Sequence, residues 1–118
     1  MGRKKFNLEK NGRQVLENVC IADRFFSRFR GLMLKKSLPY GGLYIKPCSQ
    51  IHTFMMRFPI DAIFISREKE VLYIEDSIKP SRVSRYVRKA EGVIETSAGF
   101  AKNNGIMPGD KLDFIIIK

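Results

Sequence analysis

The apolar and polar positions of this chain are spaced mostly as short strands, with helical spacing in one long stretch near the N-terminus. Residues 13–20 read as a strand after the Asn11-Gly12 turn signal. Between residues 23 and 33, Phe25, Phe26, Phe29, Leu32 and Met33 recur at helical spacing. Asp23 is placed to cap that helix and Gly31 to end its regular part. Pro39, Gly41 and Gly42 then make a turn, and the β pattern resumes over 43–45, 51–56, 60–66 and 70–75. The charged turn Arg67-Glu68-Lys69 makes the last two strands a hairpin. A further strand covers 92–97 and a short helical turn covers 98–103. Met107-Pro108-Gly109-Asp110 leads into a last strand at 111–118. Seven short strands and one packed α-helix predict a mainly β fold, a compact β-sandwich or barrel.

Composition narrows this picture. The chain has 118 residues, 44 % of them hydrophobic, which suits one globular domain and excludes a disordered chain. Residues 1–12 are expected to be a basic N-terminal tail and residues 13–118 a single β-rich domain. No apolar run reaches the ~20 residues of a membrane-spanning helix. No apolar core of a secretory signal follows the polar N-terminus, so a cytoplasmic location is expected. Two cysteines, Cys20 and Cys48, are too few for a disulfide scaffold and are expected as reduced thiols.

Charge adds a functional hint. Twenty-two basic residues against 12 acidic ones give a net charge of +10. Residues 1–59 carry 12 basic and 3 acidic residues, whereas 60–118 carry 10 and 9. Such an excess attracts nucleic acid, acidic proteins, anionic lipid or phosphorylated small molecules, or it serves solubility alone. Within the run 79–89, Arg82, Arg85, Arg88 and Lys89 flank Tyr86, a pattern that can hold phosphate and stack a base or form a solvated loop.

His52 is the only histidine, so this chain alone cannot build a two-histidine metal site or a histidine acid–base pair. In one continuous strand, Cys48, His52 and Met56 would share a face, and their side chains are soft or borderline metal ligands. Strand spacing also holds them too far apart for one ion, so no metal and no cofactor are expected. Asp61 opens an otherwise apolar strand. It is expected to cap backbone N–H groups, to pair with a cation such as Arg30 or Arg57, or to orient His52.

Several segments together are specific. Arg30-Gly31-Leu32-Met33, the run from Ile51 to Asp61 (Ile-His-Thr-Phe-Met-Met-Arg-Phe-Pro-Ile-Asp) and Phe64 resemble the Domain of Unknown Function 192 family. Pro80, Val93-Ile94-Glu95, Ala98-Gly99, Gly105-Ile106 and Gly109-Asp110 follow in that family's order. His-Thr and Met-Arg-Phe-Pro stand where many of its members carry Trp-Met and Lys-Asn. The resemblance covers roughly residues 15–115. It implies a compact β-rich domain with a helix and no particular activity, substrate or cofactor.

Three functional readings follow. The first is a non-catalytic binding module that takes a small anionic ligand or an acidic protein surface at Arg30, His52, Thr53, Arg57, Asp61 and Glu95. The second is an enzyme with His52 as acid or base, oriented by Asp61 or Glu95. The third is nonspecific nucleic-acid binding through the basic N-terminal tail and the 79–89 run, with Arg82, Arg85, Tyr86, Arg88 and Lys89.

Overall fold

Seven strands hydrogen-bond into one continuous sheet: β1 (Lys5–Lys10), β2 (Arg13–Ala22), β3 (Gly42–Ile45), β4 (Ile60–Ser66), β5 (Val71–Ile78), β6 (Ala90–Ser97) and β7 (Asp113–Ile117). A single-turn helix, α1 (Phe100–Asn103), follows β6. The structure is a computed structural model that describes residues 4–24, 32–33, 35, 37–38 and 41–117. The sheet order is β5-β4-β6-β3-β2-β1-β7. Every neighbouring pair is antiparallel except β2–β3. The two outermost strands approach each other at one end, where Glu70 bridges Lys111. There Val71 N–H donates to Asp110 O at 2.8 Å and Leu112 N–H to Lys69 O at 3.0 Å. The sheet is thus a partly closed barrel, mainly β as its spacing predicts.

Both faces of the sheet are apolar. One face gathers Phe6, Leu8, Val19, Tyr44, Ile63, Ile65 and Ile94, with Phe100 and Ala101 of α1 packed on it. Stacked Phe6 and Phe114, with ring centroids 4.1 Å apart, extend that layer to β7. The other face gathers Cys20, Ala22, Leu43, Ile45, Ala62, Phe64 and Val93, and irregular chain supplies Ile51 and Met56 to cover it. Every residue of β4 is buried, which explains its nearly unbroken apolar run. Each large side chain so buried contributes about 1.5–3 kcal/mol relative to exposure. On the outer edge, β7 pairs with β1 alone, and Ile115, Ile116 and Ile117 stay exposed.

Three expectations change. Residues 5–10, expected within a basic tail, are β1, because Phe6 and Leu8 alternate into the core and the Asn11-Gly12 turn folds them onto β2. Asn11 (φ 54°) and Gly12 (φ 78°) take the left-handed conformation such a two-residue turn needs. Residues 51–56 are not a strand. His52 makes one isolated bridge to Val83, and the chain turns at Phe54–Met55. Residues 25–31 of the expected helix at 23–33 lie outside the described residues, among which the α-helix is α1.

Gly92 in β6 packs directly against a buried ring. A Cβ there would lie 2.6 Å from two ring carbons of the buried Tyr44. The Tyr44 hydroxyl donates to Glu91 Oε1 at 3.4 Å, and that carboxylate also pairs with Lys69 at 3.2 Å. Gly92→Ala should cost about 1–3 kcal/mol, since the ring has no room to withdraw in a dense core. Urea denaturation of the variant measures that loss.

Candidate functional site

Asp61, the second residue of β4, is fully buried. Its Oδ1 accepts the N–H groups of Ser77 (2.9 Å) and Gly99 (3.1 Å), and its Oδ2 accepts that of Ala101 (3.0 Å). Gly99 and Ala101 belong to the start of α1, so the carboxylate caps that turn and holds it against β4 and β5. Of the roles read from sequence, capping is the one these bonds display.

Glu95 lies across the sheet from Asp61. It pairs in register with Ala62 and with Leu43. Paired residues share a face and successive residues alternate, so Glu95 and Asp61 point to opposite faces. Glu95 is 2 % exposed, and its Oε1 has no hydrogen-bond partner among the described residues. Burial pushes its carboxyl up from 4.5 to about 8, so the group is predominantly neutral at pH 7. The two acids therefore do not line one pocket together.

Thr53 joins two segments that are about 30 residues apart in the chain. Its buried hydroxyl donates to Lys79 O at 2.7 Å and accepts the Arg82 N–H at 2.9 Å. Its backbone N–H donates to Arg82 O at 2.8 Å, and its carbonyl accepts the Ser81 N–H at 2.9 Å. Ser84 N–H donates to Ile51 O and Val87 N–H to Ser49 O, at 2.9 and 2.8 Å. The result is an irregular antiparallel ribbon. Ile51, Thr53 and Ser84 face the core, while Val83 faces water and His52 is half-buried. His52 Nδ1 accepts the Phe54 N–H at 3.2 Å, and the two rings stack with centroids 5.1 Å apart.

The ribbon unites what the sequence shows as two separate runs. Arg57 is exposed beside one strand of it, and Arg82, Arg85, Tyr86, Arg88 and Lys89 are exposed along the other. Arg85 lies over the Tyr73 ring, 5.1 Å from its centroid, and its backbone N–H donates to Glu75. Segments 46–60 and 77–90 contain no Asp or Glu and hold seven Lys or Arg residues. Arg30 lies outside the described residues. Sequence reasoning missed the exposed apolar members of this face, Phe54, Met55 and Val83. Nothing in Thr53-Phe54-Met55-Met56 marks a turn in the sequence, because no Gly, Pro, Asn or Asp stands there.

Cys48, His52 and Met56 do not share a face, because the segment is not one strand. Met56 is buried in the core cluster, and Cys48 Sγ donates to Gln50 O. Cys20 and Cys48 are not joined in a disulfide. Among the described residues no three His, Cys, Asp or Glu side chains group closely enough to hold a metal ion.

The fold defines a small, mainly β domain built on one curled sheet. The chain belongs to the Domain of Unknown Function 192 family, whose model, described as "Uncharacterized ACR", matches residues 6–114. It is similar to the UPF0127 protein of Thermococcus sibiricus, 38 % identical over 103 residues, which are 81 % of this chain and 65 % of that relative. A UPF0127 protein of Pyrococcus furiosus is 31 % identical over 108 residues, 87 % of this chain and 91 % of the relative. The chain thus spans just under two thirds of the first relative's length and most of the second's. A crystal structure of a protein of unknown function from Novosphingobium aromaticivorans shares the fold, with TM-score 0.80 and 21 % identity over 92 % of this chain and 83 % of that one.

Two measurements test these assignments. Asp61→Asn keeps one acceptor oxygen for three N–H groups and should cost about 2–3 kcal/mol in chemical denaturation. Glu95 gives the chain a pH signature. The native state keeps a proton that the unfolded state releases, from about pH 4.5 to about pH 8. Stability is therefore greatest, as far as this group goes, below the unfolded value and falls through that window by up to about 1.4 kcal/mol per pH unit. Glu95→Gln should remove this slope, and denaturation midpoints at the two ends of the window read it directly.

Proposed function

We propose that this chain is a non-catalytic binding module that takes an acidic partner surface or a small anion on the ribbon face. One observation supports this reading above the others. Thr53 and the His52–Val83 bridge pair the segment that carries Arg57 with the one that carries Arg82, Arg85, Arg88 and Lys89, all of them exposed, and neither segment holds a carboxylate. Guanidinium groups recognise carboxylate and phosphate in bidentate fashion, and an excess of cations steers anions to the face.

This reading centres on the ribbon surface rather than on Asp61 and Glu95. The Thr53 hydroxyl has a donor and an acceptor bond within the protein, and the Asp61 oxygens take three backbone N–H groups. His52 acting as acid or base would lack Asp61 as its orienting group, which weighs against the enzyme reading. Nucleic-acid binding would use the same cations, with the exposed Tyr86 as a stacking platform.

Titration with poly-L-glutamate, followed by fluorescence anisotropy, tests the module. The chain should bind at low salt, and affinity should fall as salt screens the face. Arg82→Gln combined with Arg88→Gln should weaken binding about five- to tenfold, with unchanged circular dichroism. Equal affinity in the double variant would overturn the reading.

A further inference from the structure

The ribbon carries more than charge. Phe54 is 47 % exposed, Met55 56 %, Val83 54 % and Tyr86 63 %. Phe54 and Met55 form the tip of a turn, with Met55 at φ 61°. Phe54 stacks on His52, and His52 lies directly across the bridge from Val83. Phe54 and Val83 are therefore both adjacent to His52, Met55 follows Phe54 in the turn, and Tyr86 lies three residues beyond Val83 on the second segment. Apolar side chains thus project from two paired segments whose own charged residues are all cations, with Glu75 of β5 alongside at Arg85.

We infer that this face is a peripheral membrane anchor, and that its acidic partner is a lipid bilayer bearing anionic headgroups. The inference rests on the reading of the ribbon as an anion-binding face and names the partner. An acidic peptide would pair with Arg57, Arg82 and Arg88 and leave Phe54 and Met55 in water. A single-stranded nucleic acid would stack on Phe54 and Tyr86 but has no use for Met55 or Val83. A bilayer interface satisfies both halves. Headgroup phosphates take the guanidinium groups, while the acyl boundary takes the apolar tips and the amphipathic Tyr86 sits between them. The contact is shallow and reversible. Electrostatic attraction and a few inserted side chains act as two weak signals that must combine.

Vesicle co-sedimentation of the full chain tests this. The probes are phosphatidylcholine vesicles and phosphatidylcholine vesicles with one third phosphatidylglycerol. The chain should pellet with the anionic vesicles and stay in solution with the neutral ones. Phe54→Ser combined with Met55→Ser should lower anionic-vesicle binding about tenfold while poly-L-glutamate binding is unchanged. Val83→Ser, on the other segment, should lower it in the same direction, which guards against a local folding defect in the first variant. Vesicle binding that is unaffected by either variant would overturn the membrane anchor. Poly-L-glutamate binding without vesicle binding would overturn it too, yet leave the binding module standing. Loss of both would remove both readings. Tighter binding to a single-stranded RNA oligonucleotide, lost in Tyr86→Ala, would replace the bilayer by nucleic acid.

Discussion

A curled sheet with two apolar faces must be covered on both. This constraint shapes nearly everything else in the molecule. One face is closed by α1 and by the chain around Ile106 and Leu112. The other has no second sheet to pack on it among the described residues, so irregular chain supplies Ile51, Met56, Phe58 and Val87 as its cover. Irregular backbone brought against an apolar surface must still satisfy its polar groups. Side chains do this work. Ser84 Oγ accepts the Ile51 N–H, Gln50 donates to Ser84 O, Ser49 to Ala90 O and Thr53 to Lys79 O. The ribbon is therefore a structural necessity first, and its outward side is what remains free for a partner.

The two buried acids illustrate opposite solutions to one physical problem. Removing a carboxyl group from water costs heavily unless hydrogen bonds or protonation compensate. Asp61 is compensated by backbone N–H groups, and one carboxylate thereby joins β4, β5 and α1. Glu95 has no such donors at Oε1 and keeps its proton instead. One acid is an organiser of the fold. The other is a strain that the second apolar face carries.

Much of the fold was legible from local patterning. The hairpin of β4 and β5, the strands at β2, β3, β6 and β7, and the turn of α1 were each readable from short-range spacing. β1 was readable as well, since Phe6 and Leu8 alternate before a turn, but the surrounding lysines suggested a tail. The segment 51–56 misled because Ile51, Thr53 and Met56 are buried at spacings no single strand has. Its true partner lies at 79–87, and no local signal reveals a pairing that distant. The site had the same limit. Each basic or aromatic residue could be singled out alone, but their shared face depends on Thr53 reaching 26 and 29 residues along the chain. Asp61 likewise finds its capping partners 38 and 40 residues away.

The outermost strand has a consequence for the molecule in bulk. β7 offers a backbone edge to solvent and shows three successive isoleucines to water. An edge of this kind is a template on which another chain can add a strand, and apolar side chains make such addition adhesive. Two copies approaching edge to edge must first overcome their mutual repulsion, because each carries a net charge of +10. The ribbon's seven cations, of the chain's 22, contribute to that repulsion. At low ionic strength the net charge keeps the edges apart, and rising salt shortens the reach of that repulsion toward the length of a side chain. The protein's solubility is in this sense electrostatic, and it diminishes as counterions accumulate.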